Sequence, residues 1–171
     1  MKGLHMAVRD IIINPADKSL RRKAENVGKI DKTILKLLEY MTETLQNAGG
    51  NGLAAPQIGV PRRLIIVKKE MNYVKLINPV LVRSAGEQIS LEGCLSLPGI
   101  YGIVRRPEFV VIRALDTEGK RCEIKAVRHL AAAFAHEIDH LDGTLMIDKA
   151  VRIVSGGQPA AQIPAQNKNA L

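Results

Sequence analysis

The stretch Ala133-Phe134-Ala135-His136-Glu137-Ile138-Asp139-His140-Leu141-Asp142-Gly143 decides how the rest of this chain is read. Ahead of its first histidine, Arg128 to Phe134 is rich in good helix formers and holds neither Gly nor Pro, which predicts a helix running through the motif. Side chains four apart on a helix share one face with Cβ atoms about 5–6 Å apart, so the imidazoles of His136 and His140 can bind one metal ion. Glu137 then stands one step round, beside the ion, where a carboxylate can take a proton from an activated water. Gly143 suits the left-handed position that closes many helices, and the helix is expected to stop there. Three fixed residues also fit a helix that binds no metal. A catalytic site of the zinc type needs a third protein ligand and an open position. No His or Glu follows Asp148, so the third ligand has to come from upstream.

Composition bounds the setting. A chain of 171 residues is long enough for one domain with a real core, and with no Trp and two Phe that core must be aliphatic. Twenty-five Lys and Arg against seventeen Asp and Glu leave a net charge of +8. Such a charge either favours an anionic partner, nucleic acid or a ribosomal surface, or is simply a solvated basic surface. Basic residues are scattered apart from Arg21-Arg22-Lys23, Lys68-Lys69 and Arg105-Arg106, no aromatic residues interleave with them to stack bases, and there is no nucleic-acid motif. No secretory apolar segment and no run long enough to span a membrane is found. The two cysteines, Cys94 and Cys122, then agree with a reducing, soluble compartment, although a disulfide or a thiolate ligand is open to either. Met1 to Met6, with its second Met, reads as a cloning remnant or alternative start and is set aside, His5 included.

Upstream of the motif the elements come in order. Ile11 to Ile13 is a short apolar segment closed by the turn Asn14-Pro15-Ala16-Asp17. Asp31 is a plausible N-cap for an amphipathic helix with Ile34, Leu37, Leu38, Met41 and Leu45 on one face, ending at Gly49-Gly50. Residues 51–61, dense in Gly and Pro yet partly apolar, read as an ordered loop. Arg63 to Lys68, Tyr73 to Val82, Phe109 to Leu115 and Arg121 to Val127 are β-branched runs and predict strands. Asp116 to Gly119 fits a hairpin turn between the last two. Glu92 to Gly99 is expected to be a rigid, turn-rich stretch. The class is therefore α+β, with mostly antiparallel strands packed around the long motif helix. One domain is expected over residues 7–150, followed by a polar, flexible tail over 151–171.

Three separated segments now coincide in order: Gly52-Leu53-Ala54-Ala55-Pro56-Gln57-Ile58-Gly59, Glu92-Gly93-Cys94-Leu95-Ser96-Leu97-Pro98-Gly99, and His136-Glu137-Ile138-Asp139-His140-Leu141-Asp142-Gly143. Together they closely resemble peptide deformylase, with similarity running from about Ala7 to Lys149. The resemblance implies that Cys94, His136 and His140 are the metal ligands and Glu137 the acid/base. Gln57 and the backbone N–H of Leu95 would hydrogen-bond the formyl oxygen, and Gly52 would contact the substrate backbone. Glu92 and Arg106 fall where the family has an ion pair bracing the metal loop, and Tyr101, Ala132 and Ala133 fall near its methionine side-chain pocket. The implied ion is Fe(II), with zinc or nickel as substitutes. The implied substrate is the N-formylmethionine end of a new polypeptide in a bacterial cytoplasm or organellar matrix, with the ribosome as a further partner.

Read from the residues, one Cys and two His form a ligand set compatible with Zn or Fe(II). Several neighbours also carry plain structural readings: Cys122 in a strand, Gln57 satisfying loop backbone, His129 at the surface or in a satisfied core, Asp139 and Asp142 on the helix surface or supporting a ligand, and Leu53, Ile58 and Leu97 packing the loops. The chain departs from the family pattern in three places. Ala135 stands where a Gln commonly precedes the first ligand histidine. Arg105 replaces a frequent Pro and is expected to add charge near the cleft mouth. The C-terminal amphipathic helix that many bacterial members use at the ribosome is lacking. A metallopeptidase, or a deformylase-like binder without turnover, are the competing readings; metal content with deformylase and endopeptidase assays separates them.

Overall fold

The structure, a computed structural model, describes residues 8–155; the opening segment set aside above and residues 156–171 of the expected tail lie outside the described residues. In chain order the elements are α1 (Lys18–Arg21), α2 (Lys32–Ala48), β1 (Gly52–Ala54), a 3₁₀ turn (Ala55–Ile58), β2 (Leu64–Lys69), β3 (Asn72–Ala85), β4 (Gln88–Cys94), β5 (Leu97–Arg106), β6 (Phe109–Leu115), β7 (Arg121–Val127), α3 (Arg128–Leu141), α4 (Met146–Lys149) and β8 (Ala150–Ser155). The class is α+β, with two antiparallel sheets.

α2 forms where its caps say it should. Asp31 Oδ1 accepts from the N–H groups of Thr33 and Ile34 at 2.9 and 3.1 Å, donors that a helix start leaves open. Gly49 ends the helix in the left-handed region at φ +68°. β1, β2, β3, β6 and β7 make one five-stranded sheet in that order. Leu64, Ile65, Ile66 and Val67 of β2 are all fully buried because alternate residues enter different clusters: Ile65 and Val67 join Phe134, Ile138 and Leu141, whereas Leu64 and Ile66 join Leu38, Met41 and Leu45. The sheet thus packs α3 on one face and α2 on the other.

α3 starts directly after β7, turned by Arg128 at φ +53° with its N–H held by the Glu108 carbonyl at 2.7 Å. Most of its residues are buried, among them His136, Glu137 and His140. The helix ends at Leu141, and the glycine expected at its stop, Gly143, takes φ +73°. A Cβ there would lie 2.4 Å from the Arg21 carbonyl oxygen, so the position needs glycine twice over.

The second sheet, β4-β5-β8, differs from the sequence reading. Glu92 to Gly99 is strand–turn–strand, with only Leu95 and Ser96 between β4 and β5. β8 runs into the segment read as tail: Arg152, Ile153, Val154 and Ser155 pair antiparallel with Ile103, Gly102, Tyr101 and Ile100. A six-residue strand with a partner some fifty residues earlier leaves no local signal of its pairing. The segment 51–61 is ordered as expected, and it also contributes the edge strand β1.

Candidate metal centre

Cys94, His136 and His140 offer one ligand atom each, and these atoms all lie within 4.8 Å of one another. Cys94 comes from the last position of β4, where the register with β5 shifts between Gly93 and Cys94. Its Sγ lies 3.3 Å from His140 Nε2. The two imidazoles, one helical turn apart on α3, stand with ring centroids 5.0 Å apart. His136 Nδ1 is engaged by Glu92 Oε2 at 2.9 Å, which leaves its Nε2 for a ligand. One thiol and two imidazoles within this distance of one another suit a divalent transition ion with a fourth position open.

Electrostatics support that fit. Burial pushes Glu92 up, but hydrogen bonds from Arg106 and His136 outweigh it and hold the carboxyl at about 2. Burial likewise works against a charged His136, yet hydrogen bonds to Cys94 and Glu92 raise it to about 10, so the metal-free site keeps a proton that an incoming cation displaces. His140 is lowered, chiefly by burial and then by the charge on His136. Burial lifts Glu137 to about 7 against the opposing pull of His136, and its Oε2 is buried without a hydrogen-bond partner among the described residues. An unpaired buried carboxylate oxygen beside three ligand atoms is an acceptor awaiting a proton donor.

Gln57 is aimed by its surroundings. Its Oε1 accepts from the Ala54 N–H at 2.8 Å, which fixes the amide orientation and turns Nε2 towards Ser96 Oγ at 3.2 Å and Cys94 Sγ at 3.6 Å. The backbone of Gln57 is held too, through the Ile12 N–H on its carbonyl at 2.8 Å. A cavity of about 530 Å³ opens over the centre, walled by Gly52, Gln57, Cys94, Leu95, His136 and Glu137 together with Leu91, Tyr101, His129, Ala132 and Ala133.

The chain matches the family model of polypeptide deformylase over residues 8–155. It belongs to the peptide deformylase family. The peptide deformylase of Pelotomaculum thermopropionicum is 48% identical over 142 residues, covering 83% of this chain and 92% of that one. That of Thermoanaerobacter pseudethanolicus is 48% identical over 149 residues, covering 87% and 93%. Among solved structures, a peptide deformylase from Legionella pneumophila superposes with a TM-score of 0.80 at 42% identity, covering 84% of this chain and 86% of its own. A Synechococcus elongatus peptide deformylase in complex with actinonin gives 0.81 at 36% identity, covering 84% and 79%. The activity is that of the family: metal-dependent hydrolysis of the formyl group from newly made polypeptides.

With the deformylase family established, the remaining residues fall into place. Glu92 and Arg106 form the expected ion pair, buried and two-pronged at 2.7 and 2.8 Å. Cys122 lies on β7 in the other sheet, its thiol donating to the Ala114 carbonyl at 3.6 Å. His129 is exposed at the cavity rim. Arg105, expected to add charge near the cleft mouth, is exposed and paired with Glu87 at 2.6 Å, and does not itself line the cavity. Asp142 pairs with Arg63 at 2.7 Å beyond the helix end. Two features escape a reading of the sequence. Ser96 is fully buried beneath Gln57, though its place inside the Cys94 motif marks it. At Gly52 a Cβ would lie 2.3 Å from Glu137 Oε1, so this glycine makes room for the carboxylate.

Proposed function

We propose that Cys94, His136 and His140 hold one divalent ion, Fe(II) in the cell with Zn(II) or Ni(II) as substitutes, and that the substrate is the N-formylmethionyl end of a nascent polypeptide. The observation that carries this reading is the convergence of three ligand atoms within 4.8 Å beside the buried oxygen of Glu137 that has no hydrogen-bond partner among the described residues. Bound there, the ion would supply Lewis acidity, acidifying water and polarising the formyl carbonyl. Glu137 takes the proton from the attacking water; with its carboxyl raised towards neutrality it can both accept and return one. As the new C–O bond forms, negative charge collects on the formyl oxygen, and Gln57 Nε2 with the Leu95 N–H donates to it. One such donor is typically worth about 2.7–4 kcal/mol in the barrier. Glu137 then protonates the departing amine, the C–N bond breaks, and formate and a free amino terminus result.

The backbone of Gly52 lines the substrate beside Glu137, and Tyr101, Ala132 and Ala133 take the methionine side chain, the two alanines leaving it room. The chain acts as a single catalytic domain that takes in β8, in a bacterial cytoplasm or organellar matrix. The ribosome is its partner of place, although the basic surface carries no nucleic-acid motif. No helix among the described residues is long and apolar enough to cross a membrane. The test is anaerobic reconstitution with Fe(II), Ni(II) or Zn(II), followed by formate release from formyl-Met-Ala-Ser and from its formyl-Gly analogue. Fe(II) and Ni(II) forms are expected to be the most active, and the methionyl peptide the better substrate. Activity confined to the Zn(II) form, or equal use of both peptides, would contradict the metal and substrate assignments respectively.

A further inference from the structure

We propose that Asp139 is a positioning residue for the metal centre and that Lys149 anchors it, the two forming the outer half of a line of alternating charges that ends on His136 Nδ1. The proposal rests on Cys94, His136 and His140 being the metal ligands. At the surface, Lys149 Nζ donates to Asp139 Oδ1 at 2.6 Å. The other oxygen, Oδ2, accepts from Arg106 Nη1 at 2.5 Å. Arg106 donates through Nε and Nη2 to both oxygens of Glu92, and Glu92 Oε2 accepts from His136 Nδ1 at 2.9 Å. Helices α4 and α3 and strands β5 and β4 supply one charge each.

The need for Asp139 follows from the donors of Arg106. This side chain is 3% exposed, and Glu92 meets only one edge of its planar fork. Nη1 points away from that edge, and its acceptor is Asp139. Without Asp139 a buried cation would keep an unpaired donor and half its compensating charge, and it would turn or draw in water. Glu92 would follow, because Arg106 and His136 are what fix its oxygens. Asp139 lies three residues after His136 and one before His140, so this contact clamps the ligand-bearing turn of α3 to β5.

The metal centre has little else to hold its imidazoles. His140 Nδ1 is buried with no hydrogen-bond partner among the described residues, and Ala135 brings no polar group beside His136. Of the two imidazoles, only His136 is oriented by a carboxylate among the described residues, and that carboxylate is set by this line. Lys149, with its side chain 44% exposed, contributes a screened contact; Asp139, 15% exposed, contributes a stronger one.

The experiment loads the full chain with Co(II), whose visible bands report ligand geometry and whose near-ultraviolet thiolate band reports Cys94. Asp139→Asn keeps the shape and removes the charge. Lys149→Met keeps the stem and removes the charge at a position too exposed to decide folding. Asp139→Asn is expected to bind Co(II) roughly 10–100-fold more weakly with shifted visible bands, and to melt below the wild type when metal-free because Arg106 loses half its compensating charge; Lys149→Met is expected to bind about two- to fivefold more weakly and, metal-free, to melt close to the wild type. If Asp139→Asn fails to fold, Lys149→Met with Asp139→Glu carries the test, the glutamate being expected to retain the wild-type bands. Wild-type affinity and bands in the charge-removing variants would overturn the proposal, as would weaker binding with unmoved bands. A Cys94→Ala protein that kept the thiolate band would instead overturn the ligand set, so the two failures are distinct.

Discussion

In the five-stranded sheet the residues turned inward are aliphatic: Ile65, Val67, Val110 and Ile112 are at most trace-exposed and pack on Phe134 and Ile138 of α3. In the three-stranded sheet the inward positions include Glu92, 7% exposed, and Arg106, 3% exposed, while Ile89 stands 36% exposed and Leu91 and Tyr101, each 44% exposed, face the open cavity. Apolar residues therefore hold the first sheet, and the second is held in part by charge pairs that would be costly to bury unless paired. Its own apolar cluster is small, with Leu97, Val104 and Met146 as its buried members. The comparison teaches that stability and chemistry are supplied by different layers joined through α3, which presents Phe134 to one and His136 to the other.

The largest expected break in that comparison is on the stability side. Phe134→Ala removes a fully buried ring from the main core and should cost about 3–5 kcal/mol in denaturant unfolding, with formate release per folded, metal-loaded molecule largely kept. Gln57→Leu should do the reverse: it removes the proposed oxyanion donor, lowering kcat/KM for a formyl-Met peptide by about 10²–10³-fold. Some stability is lost as well, since the Ala54 N–H loses its acceptor.

A smaller effect sharpens the contrast through pH. In the metal-free protein the folded-state pKa of Glu137 is raised by burial to about 7 from an ordinary 4.5. The protonated carboxyl is the form the fold prefers, so its contribution is fully present below about 4.5 and is lost as pH rises through about 7. Metal-free wild type should lose on the order of 2 kcal/mol relative to Glu137→Gln between pH 4.5 and 8, read from paired unfolding curves. Glu92 has the opposite sign: held at about 2, it stabilises above 4.5 and fails only as pH falls towards 2. The smallest effect is expected from Cys122→Val, on the aliphatic sheet and away from the metal: a change within about 1 kcal/mol, with Co(II) binding and formate release unaltered.

The same contrast explains what the sequence let a reader see. α2 was legible because Asp31 and Gly49 are local caps around a helical apolar stripe, and β6–β7 because two β-branched runs flank Asp116 to Gly119, where the Asp116 N–H meets the Lys120 carbonyl at 2.9 Å. The second sheet was not, because its polarity is inverted: Ile89 and Leu91 are exposed, Glu92 is buried, and Gly93, Pro98 and Gly99 look like loop. At the centre, residue types and spacing pointed to His136, Glu137 and His140, whereas the resemblance to the family singled out Cys94 from the two cysteines. The contacts of Gln57 with Ser96 and of Asp139 with Arg106 and Lys149 depend on which strands and helices meet, which no local pattern records.

On the proposed mechanism Glu137 serves the reaction and not the fold. The most direct test measures formate release from formyl-Met-Ala-Ser and the melting temperature on one metal-loaded preparation each of wild type and Glu137→Gln, at matched metal content and neutral pH. The account predicts a loss of about 10²–10⁴-fold in kcat with a melting temperature equal to or above that of the wild type. Formate release that survives the substitution, or a variant that fails because it unfolds, would contradict it.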